Sequence, residues 1–205
     1  MMSTKRIVVT GMGVVSPLGC GVEAVWGRLL DGNSGMVLLP QDMVDGIAAK
    51  VAAVVPAFSE NEPAGFDPAS AVEPKDLKKM DRFILFALTA AKEALAQAGW
   101  APRDEAGQQR TATVIASGIG GFGAIAEAVR TTEARGPRRL SPFTIPSFLA
   151  NMAAGNVSIA HGFKGPLHPF TGHPGLQHLN LPDVRRCDLE QVAVHQDEVG
   201  PLAFL

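Results

Sequence analysis

The feature that most limits how this chain can fold is a long amphipathic segment between Asp81 and Gly99. Asp81 stands where a helix N-cap is expected, and Gly99 stands where a helix ends. Eight apolar residues at helical spacing form a broad face: Phe83, Ile84, Phe86, Ala87, Leu88, Ala91, Leu95 and Ala98. The spacing predicts a helix whose apolar face is buried, and a chain of 205 residues with 46% apolar side chains can supply the core that covers it.

Short apolar runs alternate with helical patterns along residues 5–159 of the chain. Predicted strands cover residues 5–10, 47–55 and 111–117, and predicted helices cover residues 22–30, 82–98, 124–134 and 147–159. The proline-rich stretch 56–74 is predicted to be a surface loop. This alternation predicts an α/β fold, with a mixed, largely parallel sheet and helices on its faces.

The character of the sequence changes after Pro166. Residues 167–205 contain four of the five histidines, carry a net charge of -3 and have no continuous apolar face, whereas the preceding part has a net charge of +1. We therefore divide the chain into residues 1–166, which form an α/β domain, and residues 167–205, which form a divergent tail.

Charge and cysteine content exclude several classes of partner and site. A net charge of -2 and a pI near 6.2 leave no sequence-wide positive field for a nucleic acid or an anionic membrane. Two cysteines, Cys20 and Cys187, are too few for a disulfide framework, and neither they nor the histidines have a metal-ligand spacing. No apolar stretch has the length of a secretory signal or a membrane span. We expect a soluble cytoplasmic protein without a metal.

A glycine-rich turn follows the predicted strand 111–117. Gly118, Gly120 and Gly123 match the spacing of a dinucleotide-binding loop, in which helix N–H groups hold a phosphate. The acidic residue that such a site places about 20 residues later is missing, because residues 134–182 contain no Asp or Glu. We interpret the glycines as allowing close backbone packing and expect no cofactor, with a small dinucleotide-binding protein as the alternative.

Three further features are candidates for function. The first group of basic residues is Lys75, Lys78, Lys79 and Arg82; the second is Arg138 and Arg139. In a helical turn the first group would form one positive stripe, which is either a solvated surface or a docking site for an acidic, phosphorylated partner. Cys20 precedes a predicted helix whose dipole could lower its thiol pKa, but no base lies near it in sequence.

Several blocks of sequence resemble, in order, the elongating β-ketoacyl-acyl-carrier-protein synthases, and most of all their synthase II branch. These blocks are residues 5–19, 29–35, 78–83, 117–121, 136–143, 151–159 and 162–166. The resemblance implies the N-terminal half of a thiolase-like layered fold, which in this family usually forms a homodimer. The implied reaction is the decarboxylative condensation of malonyl carrier protein with an acyl thioester.

The resemblance also indicates where this sequence departs from the family. Family spacing places the nucleophilic cysteine at Pro174, and proline cannot attack a thioester. The catalytic histidines of the family belong to a second half that these 205 residues lack, so we assign no catalytic residue. We expect a truncated product that is inactive alone and leaves a large apolar face uncovered. A non-catalytic partner of the chain-length-factor type is the alternative.

The resemblance implies binding roles, and no catalytic role, for particular residues of this chain. The residues that match carrier-protein-binding positions are Lys75, Lys78, Lys79, Arg138 and Arg139. Ile119 matches a residue at the floor of the acyl pocket, although we favour plain core packing as the role of this position. Thr144 stands where an aromatic residue is common in the family, which changes the expected pocket shape.

Overall fold

The computed structural model describes residues 7–171, together with residues 194–195 and 203–204. The strands are β1 (Ile7–Val8), β2 (Gly11–Met12), β3 (Val15–Ser16), β4 (Gly19–Cys20), β5 (Met36–Leu38), β6 (Val51–Ala53), β7 (Thr113–Ser117), β8 (Leu167–Thr171), β9 (Val194–His195) and β10 (Ala203–Phe204). The α-helices are α1 (Val22–Leu30), α2 (Pro68–Ala71), α3 (Pro74–Leu77), α4 (Arg82–Ala98), α5 (Glu105–Gln109), α6 (Phe122–Arg135), α7 (Thr144–Phe148) and α8 (Met152–His161).

The predicted α/β class is correct, although the strands of the described residues form small sheets. β7 pairs in parallel with β8, from Thr113 opposite Leu167 to Ser117 opposite Thr171. The helices α6, α7 and α8 lie in the crossover between these two strands. A second parallel pair joins β2 and β10, whereas β1/β9, β3/β4 and β5/β6 are antiparallel. The sheet structure is therefore mixed.

The core lies between α4, α8 and β7. Its buried cluster consists of Ile84, Leu88, Ala91, Ile115, Ala153, Ala154 and Val157. Small side chains on α4 and α8 let the two helices approach closely, while the larger Ile84 is fully buried. Burial of each large aliphatic side chain contributes roughly 1.5–3 kcal/mol. The middle of α4 is therefore the centre of the domain, as its predicted apolar face requires.

A second side of α4, which the predicted apolar face did not include, packs against the N-terminal segment. The backbone of Gly13 approaches α4 so closely that a Cβ there would overlap the carbonyl oxygen of Ala90. The Glu93 carboxylate accepts hydrogen bonds from the N–H groups of Val14 (3.0 Å) and Val22 (2.7 Å). Leu85, Ala90 and Ala94 are accordingly buried. Glu93 thus ties the first strands and the start of α1 to the central helix.

Two predicted segments differ from the structure. The predicted helix 147–159 is divided into α7 and α8, because Leu149 is extended and the carbonyl of Phe148 accepts a hydrogen bond from Gly121 N–H at 2.9 Å. The stretch 56–74 is not entirely a surface loop, since it contains α2 and the buried Phe66. The Phe66 ring meets Phe86 of α4 edge to face, with 4.7 Å between the ring centroids.

Within the described part of the chain, no helix combines the length and the hydropathy that crossing a bilayer requires.

Candidate functional site

The first basic group lies on and just after α3. Lys75 forms an exposed ion pair with Glu73, at 2.6 Å, and Lys79 donates a hydrogen bond to Asp76 Oδ1, also at 2.6 Å. Lys78 is the exposed C-cap residue of α3 and forms no ion pair in the described structure. The helical stripe predicted to run on to Arg82 is wrong, because α3 ends at Leu77 and a new helix begins at Arg82.

The contact between Asp76 and Lys79 changes the titration of the acid. The hydrogen bond from the Lys79 ammonium holds the pKa of Asp76 below its ordinary value, although partial desolvation acts in the opposite direction. The positive charges of Lys79 and Lys75 lower this pKa further. Asp76 is therefore ionised at neutral pH and keeps Lys79 in place.

The second basic group lies at the end of α6. Arg138 and Arg139 belong to a single 3-10 turn, Pro137–Arg139, that follows Gly136. Both side chains are exposed, and neither forms an ion pair with any residue of the described structure. Two adjacent guanidinium groups without acidic partners are available to an anionic ligand.

A contact between a cation and an aromatic ring joins the two basic groups. The Lys79 ammonium lies over the ring of Phe143, 5.2 Å from the ring centroid. Phe143 follows Arg139 by four residues, so their Cα atoms are at most about 14 Å apart. The five cations Lys75, Lys78, Lys79, Arg138 and Arg139 define what we call the basic surface. With Glu73 and Asp76 included, the net charge of these side chains is +3.

The glycine turn beyond β7 is packed against two other segments. Gly120 has a φ of +80°, and a Cβ there would overlap the carbonyl oxygen of Phe148. A Cβ at Gly121 would lie 2.7 Å from Cβ of Asp81. Asp81 Oδ2 accepts a hydrogen bond from Ala124 N–H, in the first turn of α6, at 2.9 Å. These contacts support close packing as the reason for the glycines.

The position of Asp81 has two consequences. It is the N-cap residue of α4, as predicted, but its side chain forms no capping hydrogen bond with that helix and instead caps α6. A carboxylate therefore already occupies the N-terminus of α6, where a dinucleotide phosphate would have to bind. A phosphate there would be repelled by the negative charge of Asp81, which argues against the dinucleotide-binding alternative.

Ile119 lies in the glycine turn and is 69% exposed. The core-packing interpretation of this residue is therefore wrong within the described structure. Phe122, at the start of α6, is exposed beside it in sequence, and so is Ile145 of α7. Apolar side chains are thus presented outward from the turn and from α7. Thr144 is the first residue of α7 and is only partly exposed.

Cys20 does not have the environment of a nucleophile. Burial raises the pKa of the Cys20 thiol above its ordinary value, and the negative charge of Glu93 raises it further. Both effects act against the lowering of the pKa that the sequence position suggested. Cys20 is therefore a protonated thiol at neutral pH, in agreement with its interpretation as an inert loop cysteine.

Some predicted residues fall outside the described structure. Pro174, Cys187, His173 and His178 are among them. His168 lies in β8 and His195 in β9. Among the residues that the structure describes, no three His, Cys, Asp or Glu side chains are grouped so that they could hold a metal ion.

Sequence reasoning missed two residues of the site. Phe143 joins the basic groups, and Asp76 holds Lys79, but neither was selected as a functional candidate. The i, i+3 spacing of Asp76 and Lys79 was a usable signal, because such pairs meet on one side of a helical turn. The meeting of Lys79 with Phe143 had no local signal, since 64 residues separate them in sequence.

Comparison with solved structures defines the class of protein. The ishigamide ketosynthase/chain length factor matches with a TM-score of 0.69 and 24% identity, over 82% of this chain and 40% of that chain. A type II PKS acyl-carrier protein in complex with its ketosynthase bound to the hexaketide matches with a TM-score of 0.56 and 21% identity, over 78% and 40% of the two chains. The fold is that of the thiolase-like ketosynthases.

The family follows from sequence comparison. Residues 4–172 match the family model of the β-ketoacyl synthase N-terminal domain, and the chain belongs to this family. The 3-oxoacyl-[acyl-carrier-protein] synthase 2 of Rhizobium meliloti strain 1021 is 45% identical over 164 residues, which are 80% of this chain and 39% of that protein. The chain therefore spans about two fifths of the length of the curated relatives that it matches.

Proposed function

We propose that this chain provides the carrier-protein docking surface and part of the acyl pocket of a 3-oxoacyl-acyl-carrier-protein synthase of type II fatty acid synthesis. The complete reaction would be the decarboxylative condensation of malonyl carrier protein with an acyl thioester. Relatives that carry this name are 36–45% identical to the chain, and a ketosynthase of the same fold has been solved in complex with its acyl-carrier protein. The proposed partner is accordingly an acyl carrier protein.

The observation that carries this proposal is the basic surface. Lys78, Arg138 and Arg139 are exposed cations without acidic partners in the described structure, and the Lys79–Phe143 contact places their two segments side by side. A chain of net charge -2 has no general attraction for an anionic protein, so a local site must supply it. Complementary charge of this kind accelerates encounter and selects the orientation of docking.

Ile119 is proposed to contact the acyl chain. The packed glycine turn holds it outward, and its exposed apolar side chain would gain from covering by a fatty acyl group. Gly120 and Gly121 allow Phe148 and Asp81 to support the turn from the opposite side. The part of the chain proposed to perform these binding functions is residues 1–166. Residues 167–205 are proposed to supply no binding side chain, although their first strand, β8, pairs with β7.

Covalent catalysis is not proposed for this chain acting alone. The resemblance assigns the position of the nucleophile to Pro174. The proline side chain has no thiol, and its nitrogen is an amide nitrogen that has no proton to lose. Cys20 does not replace it, because burial and Glu93 keep its thiol protonated. Incubation with acyl carrier protein that carries an acyl thioester should leave the chain without a covalent acyl group, as intact-mass spectrometry would detect.

Binding of holo-acyl carrier protein, measured by fluorescence anisotropy at low salt, tests the docking surface. Charge reversal of the basic surface, for example Arg138→Glu, should weaken binding about tenfold or more, because buried like charges cost several kcal/mol at an interface. Arg103→Glu is a matched control, because Arg103 is exposed and follows the C-terminal end of α4, whereas Lys79 precedes the N-terminal end of this helix. The two ends of α4 are about 25 Å apart. Equal binding by both variants would reject the proposed site.

A non-catalytic partner role of the chain-length-factor type is the second candidate. Pro174 favours it, because a subunit that lacks the nucleophile could still dock a carrier protein beside an active synthase. Co-purification with a complete synthase, together with a change in product chain length, would favour this candidate. Self-association into a homodimer, with no change in the product chain length of a complete synthase, would favour the first candidate, the docking surface of a synthase. The cytoplasm is the proposed location in both cases, on the sequence grounds already given.

A further inference from the structure

We propose that Lys79 is a positioning residue of the basic surface rather than one of the cations that meet the carrier protein. Its ammonium, held between Asp76 and the Phe143 ring, would keep the segment 137–143 against α3, so that Lys78, Arg138 and Arg139 face one partner. This inference rests on the proposed function and refines which cations dock.

Lys79 contacts two groups within the chain, whereas Lys75 contacts one. It is 2.6 Å from Asp76 Oδ1 and 5.2 Å from the centroid of the Phe143 ring, and its side chain is 37% exposed. The side chain of Lys75 is 72% exposed, and its partner Glu73 is exposed to a similar degree. An exposed pair such as Lys75–Glu73 is easily exchanged for another partner, whereas Lys79 would have to leave two groups at once.

The segment 137–143 needs such a tie. The hydrogen bonds that the described structure records in it are local: Arg139 N–H to Gly136, Leu140 N–H to Pro137, Phe143 N–H to the Ser141 hydroxyl, Thr144 N–H to Ser141 and Ser147 N–H to Phe143. These bonds shape the turn but do not connect it to α3. The contact of Lys79 with Phe143 makes a direct side-chain connection, next to the backbone hydrogen bond from Asp81 N–H to the Ser147 carbonyl at 3.3 Å, and the orientation of Arg138 and Arg139 relative to Lys78 would depend in part on it.

The lowered pKa of Asp76 has the same contact as its main cause, because the hydrogen bond from the Lys79 ammonium stabilises the ionised carboxylate. Lys75 and Lys79 are the charged groups that act on Asp76. Since Lys79 neutralises Asp76, the charge that remains for a partner is carried by Lys78, Arg138 and Arg139. A docking partner would thus meet three cations on two segments that are held in register.

The test uses the variants Lys79→Met, Phe143→Leu and their double combination, with Lys78→Met as the control. In the chain without any partner, the amide NMR signals of Arg138 and Arg139 should shift in Lys79→Met and in Phe143→Leu, and should remain unchanged in Lys78→Met. Phe143→Tyr, which keeps the aromatic ring, should retain the original shifts. If the amide signals of Arg138 and Arg139 respond to neither single variant, the inference is overturned.

Binding of holo-acyl carrier protein supplies the second measurement. Lys79→Met and Phe143→Leu should each weaken binding by about 2- to 5-fold, and the double variant no further, because both remove one contact. Lys78→Met should reduce the salt dependence of binding, because it removes a charge that meets the partner. Phe143→Leu removes no charge and should leave the salt dependence unchanged. If the effects of the two single variants multiply in the double variant, or if Phe143→Leu keeps full affinity, Lys79 does not act through Phe143 and the inference is overturned.

The two proposals fail in distinguishable ways. If holo-acyl carrier protein does not bind the unaltered chain, the proposed function fails, while the amide signals still decide whether Lys79 positions residues 138–143. If the carrier protein binds and Phe143 has no influence on it, the docking surface stands and the positioning role of Lys79 is rejected.

Discussion

The carboxylate of Asp81 accepts a hydrogen bond from the backbone N–H of Ala124, 43 residues later in the chain, at 2.9 Å. Asp81 is the first residue before α4, yet its side chain caps α6. The N-terminus of a helix has unpaired N–H groups and a partial positive charge, and both favour an acidic side chain. One residue thus joins the beginnings of two helices and supports the glycine turn that carries Ile119.

Replacement of Asp81 tests this capping role. Asp81→Ala should lower the free energy of unfolding by about 1–2 kcal/mol, because it removes the cap of α6, and Asp81→Asn should lose less because an acceptor oxygen remains. Urea denaturation followed by circular dichroism measures both. The exposed Asp42→Ala is a control that should change stability little. If Asp81→Ala and Asp42→Ala have equal free energies of unfolding, the cap is unimportant for stability.

Two glycines in different surroundings should respond to alanine with opposite signs. Gly13→Ala should destabilise the chain by about 1–3 kcal/mol or more, since its Cβ would overlap the Ala90 carbonyl oxygen of α4. Gly27→Ala lies within α1, where a Cβ meets nothing within 4 Å, and should stabilise by about 0.5–1 kcal/mol. Thermal melts of the two variants compare them directly. A neutral Gly13→Ala would mean that the N-terminal segment does not pack on α4.

The titration of Asp76 reports the contact with Lys79. Its pKa is lower in the folded chain, chiefly because Lys79 donates a hydrogen bond to it. The stability from this contact is present above the unfolded pKa of Asp76 and is lost as the pH falls through the folded value. Carboxyl NMR should show the pKa of Asp76 moving up toward the ordinary value in Lys79→Met, whereas Lys78→Met should leave it in place. A similar pKa in Lys79→Met would contradict the contact.

His161 predicts a loss of stability in mild acid. It stacks on Phe163, and its pKa is lowered by burial first and by the charge of Lys92 second. Because the unfolded chain takes up the proton first, stability should fall as the pH drops below about 6.5 and should level off below the folded pKa. Urea midpoints at pH 7.5 and 5.5 should differ less in His161→Gln. An unchanged difference would assign the acid sensitivity to other groups.

Local pattern was sufficient to predict several elements of this protein. The bounds of α1 and the end of α4 at Gly99, whose φ is +64°, follow from helical spacing and from a residue that tolerates left-handed backbone. The blocks that resemble the synthases also indicated the family, because they record residue types in a fixed order along the chain. The signals for the helices lie within a few residues of the structure that they predict.

Tertiary structure decided the rest. Asp81 was correctly placed before α4, but only the approach of α6 made it the cap of that second helix. The break between α7 and α8 arises where the Phe148 carbonyl turns to Gly121, and Phe66 is buried because Phe86 lies beside it. The basic surface likewise depends on Lys79 meeting Phe143. Periodicity reports contacts between residues three or four apart, whereas these partners are brought together by the packing of separate elements.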